Sequence, residues 1–330
     1  MTRTALFALA TFGALAAGSS TTGQSTALRL ELPVACQPGR SCFIQQYVDH
    51  DPGPAARDYR CGPKAYQGHD GTDFRVPSRA AMLAGVEVRA AAAGTVRDVR
   101  DGAPDHDGSG VAASRAAGTE CGNGVVIDHP GGHQTQYCHM ARGSLRVKPG
   151  RAVAVGAPLG RVGQSGMAAF PHLHLTVRSG GKAVDPFAPT ASGICGAGGA
   201  GLWSPAAANA LTYRSPEVIN AGFAAAPVTA DAVEAGAIPG PNAASPALLA
   251  YIRAIGLKAG DVQRLVVTGP GSAALAATDG PQLKVDRAQQ LLFAGKRNTT
   301  GRFAPGVYTA RYTVHRDGRL VREHRFQLTL

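Results

Sequence analysis

Short runs in which apolar and polar residues alternate dominate the middle of the chain. Val86, Val88 and Ala90 occupy every second position of one such run, and a period of two is typical of a half-buried β-strand. Further runs follow at intervals of roughly 8–12 residues, which is the strand spacing of an antiparallel all-β domain. We therefore predict a mostly β domain over residues 66–190.

The clearest element within this domain is a β-hairpin, which we predict for the segment GNGVVIDHPGGHQTQYCHM, residues 122–140. Its two strands flank HPGG, where proline and glycine supply the turn. Pairing the strands outward from Asp128 and His133 brings Cys121 and Cys138 to nearby rungs of the hairpin.

The C-terminal part of the chain, residues 205–330, is predicted to be a β-rich accessory domain with a β-sandwich fold. Apolar residues occupy alternate positions from Tyr308 onward, which predicts a strand. The dipeptide Asp317-Gly318 then predicts a tight turn and a returning strand. Residues 191–204 are rich in Ala, Gly and Ser, so we interpret them as a linker.

One short helix is predicted inside the accessory domain. Ser245 is a suitable N-cap and Pro246 a suitable first helical residue, so the helix would run to about Ile255. The predicted fold class is therefore mostly β: an antiparallel β-sheet domain, followed by a β-sandwich-like domain with one short helix.

The N-terminus has the pattern of a cleaved signal peptide, predicted over residues 1–23. Arg3 precedes an uncharged apolar run from Ala5 to Ala17, and small residues follow it. The run is too short to cross a bilayer as a helix. We therefore expect an exported protein without an integral membrane segment after cleavage, in which residues 24–65 form an N-terminal segment.

The six cysteines fit export, because disulfides form in oxidising compartments. The sequence contains no C-x-x-C pair, which argues against a cysteine-ligated metal site. Proximity in the sequence favours pairing Cys36 with Cys42, and the predicted hairpin favours pairing Cys121 with Cys138. Cys61 and Cys195 remain as the third pair. The predicted disulfides are Cys36–Cys42, Cys121–Cys138 and Cys61–Cys195.

The formal net charge of +11 favours anionic partners. The sequence shows no helix-turn-helix, no RNP signature and no dense run of Lys or Arg, so we expect no nucleic-acid partner. For an exported protein the anionic cell envelope and its components are the expected partners, and the predicted location is periplasmic or secreted.

Two histidine clusters are candidates for chemistry. In GHDGTDF, residues 68–74, His69 lies four residues before Asp73. In PHLHLTV, the residues around His172 and His174 are typical of a strand, so these two side chains project to the same side, about 7 Å apart. Either pair alone is a weak signal, because such spacings also arise by chance.

A third candidate, His139, ends the second strand of the predicted hairpin. Three ligands of histidine and carboxylate type suit Zn²⁺ and leave a fourth position for water. The metal would lower the pKa of that water and polarise a carbonyl, and further histidines would move protons. From the residues alone, either His172 or His174 can be the ligand.

The chain resembles the lysostaphin-like (LytM-type) zinc metallopeptidases over about residues 66–188. The segments that carry this resemblance occur in the family's order, and they are GHDGTDFRVP, VEVRAAAAGTVRDV, GNGVVIDHPGGHQTQYCHM, VKPGRAVAVGAPLGRVGQSG and PHLHLTVRSGGKAVDPF. The resemblance implies a long antiparallel β-sheet groove with the metal on its floor.

The resemblance also implies roles for the five site residues. One Zn²⁺ per chain would be bound by His69, Asp73 and His174. The catalytic residues would be His139 and His172, which deprotonate the water and stabilise the tetrahedral intermediate. The implied activity is that of a metalloendopeptidase, a hydrolase of the peptide cross-links in bacterial peptidoglycan.

Two other functions remain open at this point. Some relatives of this family are non-catalytic regulators of cell-wall amidases, and a secreted protease acting on Gly-rich proteins would use the same residues. The sequence departs from the family in a long insertion at 101–120, which is placed to cover one end of the groove. It also has Cys138 before the expected histidine, in place of a small residue.

Overall fold

The computed structural model of the chain describes residues 1–2, 27–106, 118–190, 195–196 and 201–330. Within these ranges the chain forms seventeen β-strands and three α-helices, which confirms the predicted mostly β fold. The predicted signal peptide beyond its second residue, and most of the predicted linker, lie outside the described residues. None of the described helices has the length and hydrophobicity that crossing a membrane requires.

The N-terminal part of the described chain is built on one large antiparallel sheet. Its elements are β1 (Phe43–Ile44), β2 (Thr72–Arg75), α1 (Arg79–Leu83), β3 (Glu87–Arg89), β4 (Gly94–Arg100), β5 (Asn123–His129), β6 (His133–Met140), β7 (Ala152–Val153), β8 (Pro158–Arg161), β9 (His172–Ser179) and β10 (Lys182–Val184). The strand order is β1-β2-β9-β6-β5-β4-β7, with β10 also paired to β9. Strands β3 and β8 form a separate two-stranded sheet.

The core of this part lies against one face of the large sheet. Leu173 and Leu175 of β9 are fully buried there, as the alternation in the sequence predicts. The N-terminal segment joins the same core through Leu30, which forms a bridge with Trp203. Helix α2 (Pro205–Ala210) also packs on this core, although its sequence falls in the predicted accessory domain.

The C-terminal part contains two further antiparallel sheets. Its elements are β11 (Glu217–Ala224), α3 (Ala230–Ala235), β12 (Ala247–Leu257), β13 (Val262–Thr268), β14 (Ala274–Asp279), β15 (Arg287–Arg297), β16 (Val307–Arg316) and β17 (Arg319–Thr329). The strand orders are β11-β12-β15 and β14-β13-β16-β17. Leu248 and Ile252 of one sheet share a buried core with Val267 and Tyr312 of the other, which is the packing of a β-sandwich.

The predicted helix between Ser245 and about Ile255 is wrong, because this segment is strand β12. Locally, the hydroxyl of Ser245 accepts a hydrogen bond from the amide of Asn242, which makes a turn and not a helix cap. Strand β12 is the central strand of its sheet and is paired on both sides. The energy of that pairing and burial outweighs a local helix signal of one or two residues.

All three predicted disulfides are present: Cys36–Cys42, Cys121–Cys138 and Cys61–Cys195. The second of these lies across the end of the β5–β6 hairpin, as the strand register predicted. The third joins two residues 134 positions apart, so it ties the N-terminal segment to the end of the first domain.

The two parts of the molecule are in contact. Phe43 of β1 packs with Ile219 and Ile255 from the C-terminal sheet. Beside this cluster, the buried ammonium of Lys64 lies 3.5 Å from the carboxylate of Glu217. The accessory sheets are therefore packed directly against the first domain.

Candidate metal centre

Strands β2 and β9 bring three of the predicted site residues together. The antiparallel register places Asp73 opposite His174, and Arg75 opposite His172. Successive side chains on a strand point to opposite faces, so the alternate residues Phe74 and Leu173 enter the core while the polar side chains share the other face.

His69 reaches the same point from the loop that precedes β2. Its Nδ1 lies 2.7 Å from the carbonyl oxygen of Tyr47. Its Nε2 lies 3.2 Å from Oδ1 of Asp73 and 3.1 Å from Nδ1 of His174. The latter two atoms are 2.9 Å apart, so three potential ligand atoms form a small triangle.

The glycine at position 71 is required for this close approach. A Cβ at Gly71 would lie 2.5 Å from Nε2 of His174 and 2.8 Å from the carbonyl oxygen of Leu175. Atoms cannot come this close without displacement, so the turn before β2 must lack a side chain at this position.

Hydrogen bonds to fixed acceptors determine which nitrogens carry protons. A carbonyl only accepts, so Nδ1 of His69 donates to Tyr47 and its Nε2 faces the triangle. Nε2 of His174 lies 3.2 Å from Oδ1 of Asp70 and 3.0 Å from the hydroxyl of Thr176. With Nε2 donating to that carboxylate, Nδ1 of the neutral ring is also an acceptor.

Three acceptors directed at one another repel unless a cation or a proton lies between them. Ligands of a tetrahedral zinc ion, at about 2.0–2.1 Å from the metal, are separated by about 3.3 Å. The separations in the triangle of His69, Asp73 and His174 are 2.9–3.2 Å. The donor set and its spacing therefore fit a zinc ion with little movement.

The carboxylates of Asp70 and Asp73 favour positive charge at the position of His174. Burial opposes protonation of the ring, but the carboxylates of Asp70 and Asp73 outweigh it and raise the pKa of His174 to about 9. The same negative potential would attract a metal cation.

His139 faces the triangle from strand β6. Its Nδ1 donates to the carbonyl of Ser165 over 2.8 Å, which leaves the Nε2 lone pair free. Its backbone has a φ of 61°, a left-handed conformation that costs energy for a residue with a side chain. The disulfide at the preceding residue, Cys138, and the bond from the His139 amide to the Cys121 carbonyl hold this conformation.

His172 is oriented in the same way. Its Nδ1 donates to the carbonyl of Phe170 over 2.7 Å, and its Nε2 lies 3.5 Å from Oδ1 of Asp73. The ring centroids of His139 and His172 are 4.6 Å apart. Burial lowers the pKa of both rings, that of His139 well below its ordinary value, so both are neutral near pH 7.

Among the described residues, two overlapping groups of three can therefore hold a metal ion. One is His69, Asp73 and His174, and the other is His139, His172 and His174, each with ligand atoms within 4.8 Å of one another. The two groups share His174. In the second group, the protonated Nδ1 atoms of His139 and His172 point to backbone carbonyls, so only their Nε2 atoms are available.

A cleft of about 330 Å³ opens beside this cluster. Tyr66, Asp70, Met167 and Arg178 line it, together with His139 and His174 themselves. The sheet face that carries the histidines is therefore accessible from solvent along strands β6 and β9. Such an open cleft can admit an extended peptide.

Sequence reasoning identified all five residues that meet here, but it missed the residues that orient them. Asp70 was overlooked although it directly follows His69, and Thr176 although it shares the strand face of His174. The groups that accept the Nδ1–H hydrogen bonds are backbone carbonyls. Every residue has such a carbonyl, so only the folded structure shows which ones lie beside the histidines.

Residues 67–186 match the model of Peptidase family M23. This match confirms the resemblance predicted from the motifs over about the same residues. The family match and the donor set together support a metallopeptidase-type domain.

Solved structures with similarity to this chain include three peptidases or peptidase domains. The catalytic domain of a variant of the prophage-encoded M23 protein EnpA from Enterococcus faecalis is 23% identical, over 43% of this chain and 88% of that chain, with a TM-score of 0.30. The catalytic domain of lysostaphin from Staphylococcus simulans is 23% identical, over 42% and 85%, with a TM-score of 0.28. A zinc-containing peptidase from Vibrio cholerae is 25% identical, over 44% of this chain but only 39% of that chain, with a TM-score of 0.28.

Proposed function

We propose that the protein is a zinc-dependent endopeptidase that hydrolyses the peptide cross-links of bacterial peptidoglycan. One observation carries this proposal: potential ligand atoms of His69, Asp73 and His174 converge within 3.2 Å of one another beside an open cleft. These three residues would hold one zinc ion. A zinc ion there would supply a Lewis acid that polarises the scissile carbonyl and lowers the pKa of a water molecule.

The protein's own residues would move the protons. Nε2 of His139 and Nε2 of His172 are unprotonated near pH 7, because burial lowers both pKa values. Either nitrogen can therefore accept a proton from the attacking water and return it to the leaving amine. Once protonated, the same Nε2–H would donate a hydrogen bond to the developing oxyanion.

Three features support peptidoglycan as the substrate. The M23 family match covers the domain that carries the site. Three disulfides fit an oxidising compartment outside the cytoplasm, in agreement with a periplasmic or secreted location. The net charge of +11 favours adsorption to the anionic cell envelope.

The test is to measure the zinc content of the purified protein together with peptide release from isolated peptidoglycan sacculi. We expect one zinc per chain and release of cross-link fragments that a chelator abolishes, and fragment masses would identify the bond. Folded protein that is supplied with zinc but releases no fragments would favour a regulatory role. Release from Gly-rich proteins but not from sacculi would favour a general secreted protease.

A further inference from the structure

Arg75 lies beside the predicted catalytic machinery but has no part in the proposed chemistry. It is on strand β2, directly opposite His172 of β9, and it is 1% exposed. A buried arginine is rare unless its charge is paired. Its position next to His172 therefore requires a reason.

The guanidinium of Arg75 is linked to His172 through Phe170. Its Cζ lies over the Phe170 ring, 4.3 Å from the ring centroid. The centroid of the Phe170 ring is in turn 4.6 Å from that of the His172 imidazole. The backbone carbonyl of Phe170 also accepts the Nδ1–H of His172 over 2.7 Å, so Phe170 holds the imidazole by both its ring and its backbone.

The accessory domain supplies the charge that holds Arg75. Glu234 of helix α3 accepts a hydrogen bond from Nη2 of Arg75, and the same carboxylate oxygen accepts from Nη1 of Arg253 at 2.6 Å. Nη1 of Arg75 donates to Gln45 at 2.9 Å and to Gln289 of β15 at 3.2 Å. Glu234, Arg253 and Gln289 all belong to the C-terminal part of the chain.

This cluster has one carboxylate between two buried arginines. The side chains of Arg75 and Arg253 are 1% and 2% exposed, and that of Glu234 is 13% exposed. Burial lowers the pKa of Arg75 to about 10, against the raising effect of Glu234. Without that carboxylate, two desolvated cations would lie close together with no balancing anion, and the guanidinium of Arg75 would have to move.

We propose that Arg75 is a positioning residue for His172, and that Glu234 makes the accessory domain part of the active site by holding Arg75 against Phe170. This inference rests on the proposed function. Displacing Arg75 removes the cation–π contact from Phe170, which frees both the ring and the carbonyl that orient His172. An error of about 1 Å in a catalytic group can cost about 100-fold in rate.

The hydrogen bonds that orient two of the three ligands lie outside this chain of contacts. His69 and His174 are oriented by Tyr47 and Asp70, which lie in the N-terminal part of the chain. Loss of Glu234 should therefore lower kcat and leave zinc binding unchanged. Substrate affinity should also be unchanged, because Arg75 is buried and does not line the cleft.

The experiment is to compare Glu234→Gln with the wild type on purified sacculi and on a soluble cross-link peptide. We expect kcat to fall about 10- to 100-fold, with KM within about twofold of the wild type and zinc content unchanged. A second readout needs no metal: in metal-free protein labelled with ¹⁵N-histidine, the Nδ1–H resonance of His172 should shift or broaden as its bond to Phe170 loosens.

Asp286→Asn is the matched control. Asp286 forms an ion pair with Arg57 at 3.0 Å that also joins the two parts of the molecule, but both side chains are more than one third exposed. This variant should keep the wild-type kcat and the wild-type His172 resonance. An equal loss of kcat in Asp286→Asn would overturn the inference, because domain contact in general would then be responsible.

Phe170→Leu provides a second route if Glu234→Gln does not fold. It should reproduce the loss of kcat and the change in the His172 resonance. In a double variant that combines Glu234→Gln with Phe170→Leu, the two losses of kcat should not multiply. Wild-type kcat in folded Glu234→Gln, or in folded Phe170→Leu, would overturn the inference.

The outcome for the wild type separates this inference from the proposed function. Wild-type protein that releases nothing from sacculi would contradict the proposed function. The His172 resonance of Glu234→Gln would still test whether Glu234 positions the ring, and an unchanged resonance would contradict that.

Discussion

At the scale of single residues, the chemistry of the site depends on which nitrogen of each imidazole is protonated. Backbone carbonyls accept the Nδ1–H of His69, His139 and His172. For His174 the order is reversed, because Asp70 accepts the Nε2–H and Nδ1 faces inward. When the four rings are neutral, these hydrogen bonds direct the remaining lone pair of each ring toward the same small volume.

The different roles proposed for two neighbouring histidines lead to a first prediction. His172→Ala should retain zinc but lose about 10²- to 10⁴-fold in activity, because it removes a proton acceptor and not a ligand. His174→Ala should lose zinc as well as activity. Metal analysis and turnover of a soluble cross-link peptide check both variants, and the reverse pattern would mean that the ligand assignment is wrong.

A second prediction concerns the close approach at Gly71. Gly71→Ala places a methyl group 2.5 Å from Nε2 of His174, so the ring must move away from Asp70. We expect zinc affinity to fall about 10- to 100-fold, as for loss of an orienting hydrogen bond. Competition with a fluorescent chelator measures this affinity.

Gly240→Ala is the control for this change, because a Cβ at Gly240 meets nothing within 4 Å. Its zinc affinity should equal that of the wild type. Equal weakening in the two variants would show that the effect does not come from the contact with His174.

At the scale of elements, strand register brings the site together. The pairing of β2 with β9 places Asp73 opposite His174, and the pairing of β6 with β9 places Cys138 opposite the same residue. The β5–β6 hairpin was predictable because its turn residues and alternation agree. Strand β12 was not predictable in this way. Ser245 and Pro246, which precede it, indicated a helix, whereas sheet pairing on both sides made the segment a strand.

The sandwich core gives a third prediction. Leu248 of β12 is fully buried, whereas Leu320 of β17 is 50% exposed. Leu248→Ala should lower the free energy of unfolding by about 2–5 kcal/mol. Leu320→Ala should change it by no more than about 0.5 kcal/mol. Urea denaturation followed by circular dichroism measures both, and similar losses would contradict the assigned burial of β12.

At the scale of the whole molecule, the two parts are joined by contacts that differ in kind. Phe43, Ile219 and Ile255 form an apolar contact, and Arg75 and Glu234 form a buried ion pair beside the predicted active site. The Cys61–Cys195 disulfide closes the first domain across 134 residues. The accessory domain is therefore in a position to affect the proposed catalytic site.

The three disulfides give a fourth prediction, because the chain entropy that a disulfide removes from the unfolded state rises with loop length. Replacing both cysteines of a pair by serine should cost about 2 kcal/mol for Cys36–Cys42, about 3 for Cys121–Cys138 and about 5 for Cys61–Cys195. Chemical denaturation of the three variants measures these losses.

Only the Cys121–Cys138 variant should also lose activity beyond its loss of stability, since this disulfide holds the backbone of His139. A different order of stability losses would mean that residual structure in the unfolded chain, and not loop length, controls these effects.

The mostly β class, the hairpin, the disulfide pairs and the five histidine and aspartate residues of the candidate site could all be predicted from the sequence. This was possible because alternation, turn residues and rare side chains leave local signals. The folded chain was needed to show that β12 is a strand, that Asp70 and Thr176 orient His174, and that Arg75 and Glu234 meet beside His172. Those features depend on contacts between residues up to 159 positions apart, and no local pattern records which distant strands and helices will pack together.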